Sequence, residues 1–113
     1  MAVSLKNAYE FGQVYQNGKS FANKYLIMYV YRNELNYNRV GISVSKKVGN
    51  SVIRHRVTRL VRESYRLNED KIKTGMDIIV VARPLAKGKG YKDIESAMTH
   101  LGKMHKIFRE MNG

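Results

Sequence analysis

Lys46–Arg66, KKVGNSVIRHRVTRLVRESYR, carries more structural information than any other stretch of this 113-residue chain. Seven of its 21 residues are Lys or Arg, Glu63 alone opposes them, and no Asp or Glu stands between Glu34 and Glu63. Charge this one-sided repels itself unless a polyanion neutralises it. The stretch is nonetheless built to be ordered, because apolar residues recur through it at helical spacing. At about 100° per residue, Ile53, Val57, Leu60, Val61 and Ser64 fall within an arc of roughly 100°. His55, Arg59, Arg62 and Arg66 fall within about 60° on the opposite side, with Arg54 and Arg56 at its two edges. Such a helix buries one face on a sheet and holds guanidinium groups outward. Arginine grips phosphate bidentately and stacks on bases, whereas lysine is a point charge. A solvated face laced with ion pairs is the plain alternative. It needs carboxylates three or four residues away, and only Glu63, in reach of Arg59 or Arg66, supplies one.

Val48-Gly49-Asn50-Ser51 breaks the preceding strand and supplies an N-cap, so the helix is predicted from there to about Leu67. Upstream, Arg39–Lys46 reads as a strand. Val40, Ile42 and Val44 alternate with Gly41, Ser43 and Ser45, giving one core face and one flat polar face. Tyr25–Arg32 is a second strand, and the polar turn Asn33–Asn38 predicts that the two pair antiparallel. Asn7 and Glu10 form a capping box for an opening helix that Gly18 closes, with Phe11, Val14 and Tyr15 on one side. Downstream, Lys73–Met76 is a short turn. Asp77–Arg83, DIIVVAR, is a continuous apolar run of the kind buried on both faces of a sheet. Pro84 ends it, and Ala86–Gly90 is a basic, glycine-rich loop. Ile94, Ala97, Met98, Leu101 and Phe108 mark a final amphipathic helix. The order α-β-β-α-β-α, with a short extra strand around Ser20–Ala22, predicts one α+β domain over residues 1–113. It is a two-layer sandwich with helices packed on a small mixed sheet.

Composition narrows the function. A net charge of +12 and a pI near 10.1 belong to a nucleic-acid-binding domain. There is no cysteine, so disulfides and thiol chemistry are excluded. The N-terminus lacks the apolar segment of a signal peptide, and no apolar run reaches membrane-helix length, so a cytoplasmic protein is expected. Nine acidic residues are scattered and absent from the basic region, which disfavours a protein nuclease built on clustered carboxylates. His100 and His105 stand five apart, not at the spacing of a zinc helix, and Gly88-Lys89-Gly90 is too short for a phosphate loop. Phe11, Tyr15 and Tyr29 sit near the expected helix–sheet junction. Such rings stack on bases or fill a core; the pattern favours core for Phe11 and balances the two tyrosines.

Gly41–Glu63, GISVSKKVGNSVIRHRVTRLVRE, resembles the signature helix and preceding strand of the bacterial ribonuclease P protein subunit. FGQVYQNGKSFANKYLIMYV (Phe11–Val30) is similar to that family's opening helix and strand, and DIIVVARPLA (Asp77–Ala86) to its last strand. The resemblance covers essentially the whole chain. It implies a left-handed β-α-β crossover, against the usual rule. It also implies a protein cofactor of an RNA enzyme that removes the 5′ leader of precursor tRNA, with catalysis in the RNA and no catalytic residue here. Lys46, Lys47, Asn50, Arg54, His55, Arg56, Arg59 and Arg62 are then expected to contact the catalytic RNA. Phe11, Tyr15, Tyr29 and Ser43 are expected to hold the single-stranded leader. Mg²⁺ is expected on the RNA, with no metal site in the protein and no membrane or DNA partner. Three positions depart from the family pattern: His55 stands where the family usually has an Asn, Thr58 where it has a basic residue, and a first-helix position near Tyr9 that is often basic is not basic here. A ribosomal-type structural RNA-binding protein is the alternative reading.

Overall fold

The computed structural model describes residues 3–110. Five strands form one sheet: β1 (Val3–Ser4), β2 (Lys19–Ala22), β3 (Leu26–Arg32), β4 (Arg39–Ser43) and β5 (Met76–Ala82), in the order β1-β4-β5-β3-β2. Three helices accompany it, α1 (Ala8–Asn17), α2 (Ser51–Asn68) and α3 (Tyr91–His105). The α+β class, with helices on a mixed sheet, is the one expected. β2 is the anticipated short strand; β1, only two residues long, left no pattern to read.

The expected hairpin between β3 and β4 does not form. β5 lies between them, antiparallel to β3 and parallel to β4. Met76 through Val80 are all buried, and a strand apolar on both faces is covered only at the centre of a sheet. The polar turn itself holds β5 in place. Asn38 donates to the Lys73 carbonyl at 2.8 Å and accepts from the Met76 N–H at 2.9 Å. α2 thus becomes the crossover between the parallel strands β4 and β5.

Strand alternation divides the interior in two. Leu26, Met28, Val40, Ile78, Val80 and Ala82 face α2 and α3, where Val57, Val61, Tyr65, Ile94 and Leu101 complete the main core. On the other face Ile79 is fully buried with Leu5 and Val14 beneath α1. Burying each such side chain contributes about 1.5–3 kcal/mol. Gly18 does close α1, but with extended backbone. Its lack of a side chain matters because a Cβ there would lie 2.6 Å from the Val14 carbonyl oxygen.

Candidate nucleic-acid interface

α2 begins at Asn50, whose side chain accepts the Ile53 N–H at 3.0 Å. That bond commits the side-chain oxygen of Asn50 to the cap. Val57, Val61 and Ser64 point inward as the angular pattern requires, and Tyr65 joins them from the edge of the stripe. His55, Arg56, Arg59, Arg62 and Arg66 are exposed, as are Lys46 and Lys47 in the turn before the helix. Glu63 pairs with Arg66 at 2.6 Å. Among the described residues no carboxylate lies within ion-pair distance of Arg56, Arg59 or Arg62. Arg54 differs, being half-buried with its Nε enclosed and unpartnered, so only its outer nitrogens can serve a ligand. Thr58 gives its hydroxyl to the Arg54 carbonyl at 2.9 Å. The α2 face therefore brings together seven of the eight residues expected there as exposed groups. Arg56 also reaches the Lys89 carbonyl at 3.5 Å, which sets the basic loop after β5 beside the helix.

Phe11, Tyr15, Tyr29 and Ser43 converge on the opposite face of the sheet. Register places Gly41, Ile79, Tyr29 and Ser20 in one row, and Ser43, Val81, Ile27 and Ala22 in the next. α1 lies on the first row, with Phe11 seated so closely on Gly41 that a Cβ there would be 2.6 Å from the ring. The second row stays half-exposed except for Ala22, which is exposed. Tyr15, 40% exposed, stands over the junction, edge-on to Tyr29 with ring centroids 4.9 Å apart. Phe11 follows at 6.4 Å from Tyr15. Burial pushes the Tyr15 phenol above its ordinary value, and the Ser43 side chain partly offsets this. Three rings over a floor of small and aliphatic residues form a surface on which unpaired bases can stack.

Sequence reasoning missed the polar clamp that fixes this helix to the sheet. Asp77, 1% exposed, accepts two bonds from Arg39 at 2.8 and 2.7 Å and one from Asn33 at 2.8 Å. Arg39 also holds Glu10 of α1 at 2.9 Å, and Glu10 accepts the Lys6 N–H at 2.6 Å. The signal was present: an acid heading an otherwise apolar strand needs a buried partner. A cleft of about 620 Å³ was also missed. It lies where β4 loses its neighbour beyond β1, between Phe11 on one side and Arg62, Tyr65 and Arg66 on the other. Its parts come from β1, α1, β4, α2 and the turn that follows α2, so no local pattern announces it. Among the described residues no group of three or more His, Asp or Glu is placed to hold a metal ion, and no helix is long and apolar enough to cross a membrane.

Comparison with known proteins identifies the family and matches the fold. The sequence profile of the family described as Ribonuclease P matches residues 2–106. A ribonuclease P protein component from Lachnoclostridium phytofermentans is 65% identical over 107 residues, covering 95% of this chain and 92% of the relative. The solved Staphylococcus aureus RNase P protein superimposes with a TM-score of 0.88 at 36% identity, covering 96% of this chain and all of that one. The Thermotoga maritima RNase P protein gives 0.82 at 27% identity, over 97% and 98% of the two chains.

Proposed function

The chain belongs to the bacterial ribonuclease P protein family, the protein subunit of the enzyme that matures tRNA 5′ ends, and from that premise we propose a division of labour between its two faces. As such a subunit it works with the ribonuclease P RNA on precursor tRNA. The α2 face and the turn before it, Lys46, Lys47, Asn50, Arg54, His55, Arg56, Arg59 and Arg62, hold the catalytic RNA. Phe11, Tyr15, Tyr29 and Ser43 hold the 5′ leader. The observation that carries this reading is the separation of the two surfaces by the sheet. Arginines that, Arg66 apart, have no ion pair among the described residues crowd one helix, and a ring-lined, nearly uncharged floor occupies the opposite face.

Guanidinium groups suit the closely spaced phosphates of a folded RNA, and stacking rings suit a flexible single strand. Selectivity for precursor over mature tRNA then comes from the leader, which mature tRNA lacks. Catalysis rests in the RNA. Mg²⁺ is placed on the RNA as well, a reading supported by the pairing of Glu10, Asp77 and Glu63 with arginines. There the ion would activate water and stabilise the leaving oxygen. The protein contributes by lowering phosphate repulsion, which raises local affinity for the ion, and it acts in the cytoplasm with its RNA partners.

The test is cleavage of a leader-bearing precursor tRNA at low Mg²⁺ by a bacterial ribonuclease P RNA, with and without this protein. Rescue that needs both components is expected. Cutting by the protein alone would place a catalytic site in the chain. Tight RNA binding without any effect on cleavage would favour a purely structural RNA-binding role.

A further inference from the structure

We propose that the cleft at the open edge of β4 is a pocket for one unpaired, extruded nucleotide of the catalytic RNA. The inference rests on the two-faced reading above and adds a defined base-binding site to it.

The dimensions fit. At about 620 Å³ the cleft falls within the range of small-ligand sites and exceeds what a single base needs. Its deep wall is apolar, formed by Leu5, Val40 and Tyr65, each under 10% exposed, and the half-buried Phe11 ring closes one side. Aromatic and aliphatic walls accept the faces of a base.

A polar edge is available for the base to read. Leu5 donates its N–H to the Val40 carbonyl at 3.0 Å, and β1 pairs with β4 no further. Along a strand the peptide groups of alternate residues face the same side, so those of Ile42 face the edge that β1 has left. Ile42 lines the cleft and presents a donor and an acceptor there. An adjacent N–H and C=O is the complement of a Watson–Crick edge.

Charge decides the orientation. Arg62 and Arg66 are exposed at the α2 side of the cleft, and Glu69 lines it as well. An apolar wall disfavours a phosphate inside, whereas Arg62, which has no ion pair among the described residues, attracts one at the mouth. A neutral base therefore enters and its phosphate stays with Arg62.

The same arrangement identifies the source of the nucleotide. The cleft adjoins the arginine face of α2, and Tyr15, Tyr29 and Ser43 of the leader surface do not line it. Phe11 stands between the two, packed onto Gly41.

The first test needs no variant. Wild-type ¹⁵N-labelled protein is titrated with each nucleoside 5′-monophosphate and, separately, with inorganic phosphate. Shifts at the Leu5, Gly41 and Ile42 amides that depend on the base are expected; equal shifts with phosphate alone would overturn the pocket. The second test fills the cleft from its exposed rim with Ser4→Trp. Affinity for the catalytic RNA should fall at least tenfold, while the preference for leader-bearing over mature tRNA in the holoenzyme is retained. Unchanged RNA affinity in a folded variant overturns the proposal, as does a loss confined to leader preference, which would assign the cleft to the leader. The two-faced reading would fail differently, through absence of rescue by the wild-type protein.

Discussion

Asp77 shows how one side chain can govern a binding surface it does not touch. An ionised carboxylate at 1% exposure is tolerated because Arg39 and Asn33 together supply three hydrogen bonds. Arg39 carries the link onward to Glu10, whose neighbour Phe11 heads the aromatic row. Asp77→Ala leaves a half-buried guanidinium without its main partner and is predicted to destabilise the fold by about 3 kcal/mol. Urea unfolding should show a lower midpoint with little change in slope; a loss below about 1 kcal/mol would mean that the clamp behaves as an ordinary surface pair. His105 poses a different problem. Its ring contacts the Met28 carbonyl at 2.8 Å, and burial lowers its pKa from the ordinary 6.5 despite that bond, with Lys19 adding to the effect. The unfolded chain then takes up this proton at higher pH than the native state does. His105 therefore favours folding above about pH 6.5, and that contribution is lost as pH falls toward the lowered native value. His105→Gln should flatten the decline of stability between pH 7.5 and 5.5. A decline equally steep in the variant would assign it to other groups.

α2 is the element where sequence and structure agree best, and the reason is local. A helix repeats its geometry every few residues, so Ile53, Val57, Leu60, Val61 and Ser64 could be assigned to one side without knowing what they pack against. Tyr65 escaped because it lies at the stripe's margin, where its length carries it into the core. Strand order is not local in this sense. Whether β4 pairs with β3 is decided by β5, which needs cover on both faces and so displaces the nearer neighbour in sequence. The rings of the proposed leader surface were legible as residues but not as a constellation. Tyr29 meets Tyr15 only because β3 lies under α1 in one particular register. Exposed and, among the described residues, without a carboxylate partner, Arg59 and Arg62 are the cleanest probes of α2 as an electrostatic element. Each phosphate contact removed should reduce the slope of log K against log salt by roughly 0.7–0.9. Arg59→Ala and Arg62→Ala are therefore each expected to flatten the salt dependence of binding to the catalytic RNA. An unchanged slope in both would place the phosphate contacts on another face.

The whole molecule carries +12 on 113 residues, and its distribution matters more than its sum. The clamp and the Glu63–Arg66 pair occupy several of the acids, leaving much of α2, the turn before it and the loop after β5 as uncompensated cation. Self-repulsion of this kind opposes compaction, because unfolding lets the charges separate. Two effects of added salt must therefore be distinguished. Screening weakens all the repulsions and depends on ionic strength, whatever the anion. Site binding depends on anion identity, since a multivalent oxyanion can span neighbouring guanidinium groups as an RNA phosphate would. Replacing chloride by sulfate at constant ionic strength isolates the second effect. An anion present at one hundred times its dissociation constant stabilises the native state by about 2.7 kcal/mol. For a domain of this size that corresponds to a rise in Tm of roughly 10–20 °C. Wild-type protein should show a rise approaching that range, and a variant lacking both Arg59 and Arg62 a smaller one. Equal melting in sulfate and chloride would mean that the cations act only as a diffuse field, and the concentrated anion site on α2 would have to be abandoned.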